Sequence, residues 1–380
     1  MSLEREMELR SYVLEGTENL ISPAIVYYKD IILYNTKRVI EMAGGPGRLW
    51  PHVKSHKSSA MIRMQMDLGI NRFKCATISE AEMTADSGAG HIILAYPLIG
   101  PNVLRYIELT KAFPKTVFYA IADDLDSLSI LADVACREGT VVNILIDVNM
   151  GMNRTGVSLD LLESFCESCA ALKGIKLKGM HCYDGHCRDS DFNIRKAIVE
   201  KNDAKVLKIR ELLKRKGFEF EIMVMGGSPS FPCRAGKEGF YLSPGTIFIG
   251  DWTYFSILPD MVFTPGAALF SRVISHSGSN ANVGNCFTLD LGCKGIASDP
   301  PGDRGVIVGL PEANPVFQSE EHWVFSLPEN AALPPVGSEC YVIPAHICPT
   351  SALYPEILVA QGGKITERWP VDARNRKITY

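Results

Sequence analysis

Eight short β-rich runs recur between residues 49 and 251 of this chain, at 49–55, 72–77, 91–97, 117–123, 142–148, 177–183, 222–228 and 241–251. Amphipathic stretches alternate with them, among them 78–88 with Ser79 as its cap, 125–138, 159–172 and 193–216. Strands that alternate with helices build parallel β/α units, and eight such units close into a barrel. The expected fold class is therefore α/β, a (β/α)8 TIM-type barrel over residues 20–261. From about Val262 the texture changes to short Val/Ile/Phe runs separated by Gly, Pro, Asn and Asp, which reads as a second, mostly β C-terminal domain over 262–380. Residues 1–19 precede the barrel pattern and are expected to pack on that second domain.

A chain of 380 residues with 46% hydrophobic and 22% charged content buries a large core. Its formal charge of -4, from 39 basic and 43 acidic residues, leaves no electrostatic footprint for nucleic acid and no polybasic patch for a membrane. The opening residues Met1-Ser2-Leu3-Glu4-Arg5-Glu6 are charged rather than apolar, and no later run is long enough to span a bilayer. A cytoplasmic protein is expected, and eleven scattered cysteines fit reduced thiols better than a disulfide framework.

Barrel function gathers at the carboxyl ends of the strands, and here those ends carry Lys54, Thr77, Tyr96, Asp123, Asp147, Tyr183, Ser228 and Asp251. Lys54 stands in Pro51-His52-Val53-Lys54-Ser55-His56-Lys57, where an apolar entry delivers an amine to a histidine-flanked strand end. Read plainly it is a solvated loop cation; read chemically it is an amine that holds pyridoxal phosphate as a Schiff base. Met225-Gly226-Gly227-Ser228-Pro229-Ser230 is a Gly-rich turn after a strand, exposing N–H groups that suit a phosphate. Ser243-Pro244-Gly245-Thr246 offers a second such turn one strand later, and barrels often bind phosphate at their last two strands. Arg154, between Gly151 and Gly156, either reaches an anionic oxygen of a ligand or pairs with Asp147 to fix its own loop. In Pro344-Ala345-His346-Ile347-Cys348-Pro349-Thr350 two donors stand two residues apart, so on an extended segment they share a face and an ion. Imidazole with thiolate favours zinc, and two protein ligands leave positions open for water or substrate.

This series, with Met150-Gly151-Met152-Asn153-Arg154-Thr155-Gly156 and Ser319-Glu320-Glu321-His322, resembles in order the pyridoxal phosphate enzymes of the alanine racemase-like fold. Within them it is similar to the metal-activated D-threonine aldolase and D-serine dehydratase group, over nearly the whole chain. The resemblance implies pyridoxal 5'-phosphate on Lys54 and a divalent metal, zinc or manganese, on His346 and Cys348. It implies Arg154 facing the cofactor's phenolic oxygen and Tyr183 beside its ring, with Gly227, Ser228, Gly245 and Thr246 holding the phosphate. A homodimer acting on a small D-amino acid follows by the same likeness.

Two reactions stay open. Tyr183-Asp184-Gly185-His186 looks like the aldolase pattern, in which the histidine takes the substrate's 3-hydroxyl proton and the carbon–carbon bond breaks to give glycine and an aldehyde. Cys348 resembles the dehydratase ligand, since aldolases typically carry an aspartate there, and dehydration yields an oxoacid and ammonia. The histidine tips the expectation toward a D-threonine aldolase type of lyase, with Lys54 and His186 as its catalytic residues and dehydration as the alternative. An amino-acid racemase on the same scaffold would need a second acid/base residue and no metal. A simple cofactor carrier would have no use for the second domain.

Overall fold

The computed structural model describes residues 12–276, 285–299 and 301–380. These group into two compact units, one falling within 1–36, 55–57 and 246–374, the other within 37–54, 58–245 and 375–380. Of the stretch 1–19 expected on the β domain, residues 1–11 lie outside the described residues, and 12–19 fall in the β unit.

In chain order β1 (Ala24–Tyr28) leads into the helix Lys29–Ala43. The barrel unit then carries β2 (Arg72–Cys75), β3 (His91–Leu94), β4 (Val117–Ala122), β5 (Val142–Asp147), β6 (Ile175–Cys182), β7 (Ile222–Met225) and β8 (Tyr241–Leu242). All seven are parallel and adjacent in sequence order. The first expected strand is reduced to two parallel bridges, Leu49 with Leu242 and His52 with Lys74, which join β8 to β2 and close the curled sheet. Its short pairing has a physical cause. The N–H groups of Trp50 and His52 donate to Leu242 O and Pro244 O at 2.8 and 2.9 Å, while Pro51, having no N–H, offers β2 only its carbonyl, at 2.8 Å from Lys74 N. The inside of this barrel is filled by Trp50, Ile93, Tyr119, Ile121, Leu145, Ile222 and Val224.

Helices connect the strands. Ile78–Asp86 is capped by Thr77 rather than Ser79: Thr77 sits in extended backbone and its Oγ1 accepts from Glu80 N at 3.1 Å, whereas Ser79 is already inside the first turn. Asp124 caps Leu125–Arg137 and Asp191 caps Phe192–Arg215 in the same way. The stretch expected as helix from 159 forms one only over Leu162–Ala170.

The expected eighth run to Asp251 ends early, because Ser243-Pro244-Gly245 breaks the ladder after Leu242. Asp251 belongs to the β unit, where it caps Trp252–Ile257. That unit continues through β9 (Ala267–Ser275), β10 (Asn285–Leu289), β11 (Gly305–Ile307), β12 (Asn314–Gln318), β13 (Trp323–Leu327), β14 (Glu339–Pro344), β15 (Glu356–Gln361) and β16 (Lys364–Pro370). One path through its sheet runs β12-β13-β10-β9-β1-β15-β16, with β14 pairing both β9 and β11. Residues 24–28, within the stretch 20–261 assigned to the barrel by sequence but not among its eight expected strands, form β1, which lies between β9 and β15, and Val26, Tyr28, Phe270, Tyr341 and Leu358 pack into one core. No described helix is long and apolar enough to cross a membrane.

Candidate active site

In the barrel unit the chain turns sharply after the ring-closing segment, and the 3-10 turn Val53–Ser55 presents Lys54. The turn is tied back through Lys54 N and His52 Nδ1 at 3.4 Å. Burial, then the charges of Lys54, Lys74 and His181, hold the His52 imidazole well below its usual range, so it is neutral. The Lys54 ammonium makes no hydrogen bond or ion pair with a described residue.

Asp147 and His181 are cross-strand partners on β5 and β6, and His181 Nδ1 donates to Asp147 Oδ1 at 2.7 Å. Thr155 Oγ1 donates to the other carboxylate oxygen at 2.8 Å. Burial works against charge on Asp147, yet the His181 and Thr155 hydrogen bonds outweigh it and keep the carboxyl below its usual range. The pairing of Arg154 with Asp147, one of the two sequence readings, is thus replaced by His181 and Thr155. Arg154 instead holds its guanidinium 5.0 Å from the ring centroid of Tyr183. Its loop is built for that: Asn149 Oδ1 accepts from Gly151 N and Asn153 N, and Asp123 accepts from Gly156 N at 2.7 Å.

Tyr183, two residues beyond His181, is wedged between glycines. A Cβ on Gly227 would come 2.7 Å from the ring and one on Gly185 2.1 Å from its hydroxyl, so a larger residue at either position would have to displace the Tyr183 ring. Ser228 Oγ accepts from Gly245 N at 3.1 Å, which brings the two anion-friendly turns within one hydrogen bond of each other. Beneath the first turn lies a fully buried ion triad. Arg234 contacts Asp203 through Nε and Nη2 at 2.6–3.1 Å and Asp184 through Nη2 at 2.6 Å, while Ser230 Oγ bonds Asp184 at 2.5 Å and accepts from Gly227 N at 3.2 Å. Burial opposes the guanidinium's charge, but Asp184 and Asp203 prevail and raise its pKa. Sequence reading missed this triad because 184, 203 and 234 are far apart in the chain. His186 follows Asp184 on an exposed loop, its Nε2 3.7 Å from Cys187 Sγ and beside Gly151.

The β unit positions the other expected pair at the end of β14. His346 Nδ1 lies 3.2 Å from Asp299 Oδ2, the carboxylate contact usual for a metal-binding imidazole. Burial resists its protonation, but a hydrogen bond with Cys348 and the charges of Cys348, Asp251 and Asp299 raise it to about 9. Cys348 Sγ lies 3.2 Å from both Ser55 Oγ and Thr246 Oγ1. Thr246 therefore meets a thiol within the β unit, whereas Gly245 stays with the barrel turn. Among the described residues no three His, Cys, Asp or Glu side chains converge as a metal site, so the donors present are an imidazole–thiol pair with an orienting carboxylate. Asp251, beside them, accepts from Tyr254 N and Ile347 N at 3.1 and 3.3 Å, and burial raises its carboxyl to about 6.

A barrel that presents a lysine after its ring-closing strand, followed by a mostly β domain, defines the alanine racemase-like class of fold. Residues 29–252 match the family model of the alanine racemase N-terminal domain, and 267–360 match that of a serine dehydratase domain. The chain belongs to the alanine racemase N-terminal domain family, as its motifs led us to expect. It is 25% identical to the D-threonine aldolase of an Arthrobacter species, covering 86% of this chain and 85% of that one. It is 24% identical to the 3-hydroxy-D-aspartate aldolase of Paracoccus denitrificans, over 93% and 92%. The crystal structure of D-threonine aldolase from Filomicrobium marinum superimposes with a TM-score of 0.85 at 25% identity, covering 94% of this chain and 96% of that one.

Proposed function

We propose that the protein is a pyridoxal 5'-phosphate- and metal-dependent lyase that cleaves D-3-hydroxy amino acids to glycine and an aldehyde, in the manner of a D-threonine aldolase. The observation that carries this reading is Lys54, an uncommitted amine in the same unit as the Tyr183–Arg154 stack and the two turns joined by Ser228 and Gly245. The barrel-unit residues fit the cofactor: an amine for its aldehyde, a cation and a ring face for its aromatic portion, and hydroxyl and amide groups of Gly227, Ser228 and Gly245 for its phosphate. When bound, it supplies an electron sink for the pair released as a bond beside the substrate's α-carbon breaks. Lys54 binds it, Arg154 and Tyr183 orient it, and His186 accepts the proton of the substrate's 3-hydroxyl oxygen. In the β unit His346 and Cys348, with Asp299 orienting the imidazole, would hold a divalent ion, which would supply a Lewis acid. A cytoplasmic homodimer belongs to the same reading.

The decisive assay incubates the purified protein with D-threonine and D-serine, each with zinc and with manganese, and identifies products. Glycine with acetaldehyde from D-threonine is expected, and it should vanish in excess chelator and return with metal. Full turnover under chelation would remove the ion from the scheme, and formation of neither product set would sink the lyase reading. Cys348 and the match to a serine dehydratase domain favour a second reading, dehydration of D-serine to pyruvate and ammonia. His186 separates the two. His186→Ala should slow glycine release by about 10²–10⁴-fold while leaving cofactor binding intact, and unchanged release of glycine would strip His186 of its role as base.

A further inference from the structure

Lys74 occupies β2 in a row that continues through Ile93 on β3 and Tyr119 on β4. Ile93 and Tyr119 belong to the filling of the barrel, so the Lys74 side chain points into the same interior. Only 1% of the residue is exposed, yet its ammonium has no hydrogen bond or ion pair with any described residue. The Lys74 Nζ lies 5.3 Å from the ring centroid of Tyr183. A lysine is almost never buried without an anion, and the attraction of a ring face is smaller than the cost of taking an ammonium out of water.

The surroundings sharpen this. Arg154 sits 5.0 Å from the same ring, and Lys54 adds a third amine or guanidinium to the group. The two carboxylates within electrostatic reach are committed elsewhere, Asp147 to His181 and Thr155, Asp184 to Arg234 and Ser230. Burial first, then Lys54 and Arg154, push the Lys74 ammonium down to about 7, against the opposing pull of Asp147 and Asp184.

We propose that Lys74 is an anion-binding residue of the ligand pocket, its Nζ taking a single anionic oxygen that the bound ligand brings into the barrel. Resting on the reading of the barrel unit as a pyridoxal phosphate site, this oxygen is either the cofactor's phenolic oxygen or the carboxylate of the amino acid. A compact ammonium suits one such oxygen, where a guanidinium would grip two.

The test uses Lys74→Met and Lys74→Gln in the full chain. Apo protein is melted, pyridoxal phosphate is titrated spectroscopically, and each holoenzyme is then titrated with D-alanine and with ethylamine, which lacks the carboxylate. Both variants should melt at or above the wild-type temperature, because an uncompensated buried amine is gone. If the oxygen is the cofactor's, the Kd for pyridoxal phosphate rises about tenfold or more. If it is the substrate's, that Kd holds while the Kd for D-alanine rises by a similar factor and that for ethylamine does not. Unchanged Kd values for both cofactor and D-alanine would overturn the proposal. So would variants that fail to fold or melt well below the wild type, since the amine would then serve the empty protein. Wild-type protein that binds no pyridoxal phosphate would refute the functional reading, a separate outcome.

Discussion

Replacing Lys54 by alanine should erase the visible absorbance of protein-bound pyridoxal phosphate and reduce turnover by about a thousandfold or more. The effect should be chemical rather than structural. The Lys54 side chain makes no hydrogen bond or ion pair with a described residue and sits half-buried on a 3-10 turn rather than in a ladder, so unfolding should change by no more than about 1 kcal/mol. Absorbance, turnover and a denaturant titration on one preparation check all three. A variant that keeps the wild-type chromophore would assign the Schiff base to another amine and end the role given to Lys54.

The largest effect on stability should come from Arg234→Met. The Arg234 side chain is fully buried and its removal leaves Asp184 and Asp203 facing each other without a cation. Stripping one partner from such a pair costs about 3–5 kcal/mol. Denaturant unfolding should show a loss of that size, and a triple variant that also carries Asp184→Asn and Asp203→Asn should recover much of it, since the remaining acids no longer repel. A loss below about 1 kcal/mol would mean that the carboxylates protonate without strain. Because Ser230 links Asp184 to the amide of Gly227, cofactor affinity should fall with stability in the single variant.

The barrel was legible because its strands alternate between a face filled inside the ring and a face covered by helices, so β2 through β7 lie within the expected runs or begin only two residues before them. What failed to read has local causes. Pro51 and Pro244 shorten pairing at the closure, where the run 49–55 survives as two bridges and β8 as two residues. Strand β1 was not among the expected strands, since a five-residue apolar run before a helix carries no mark of which sheet receives it. Lys54, Arg154, Tyr183 and the turns at 226–228 and 243–245 were legible from residue type and position at strand ends. Lys74 was not, because a lysine in Arg72-Phe73-Lys74-Cys75 reads as an edge charge. The available signal was parity: with Phe73 and Cys75 on the helix-covered face, Lys74 must face inward. The Asp147–His181 pair was hidden for a related reason, since its partners meet only through the register of β5 against β6.

Strand β1 has a consequence for anyone who would dissect the molecule. It occupies the middle of a sheet whose other strands all follow residue 266, flanked by β9 on one side and β15 on the other. A fragment cut at the second-domain boundary would leave that slot vacant, with two rows of backbone donors and acceptors open to whatever strand arrives first, including one from a sister fragment. Split versions of this protein are therefore workable only if the amino-terminal segment is supplied along with the carboxyl-terminal one, as a peptide that fills the gap.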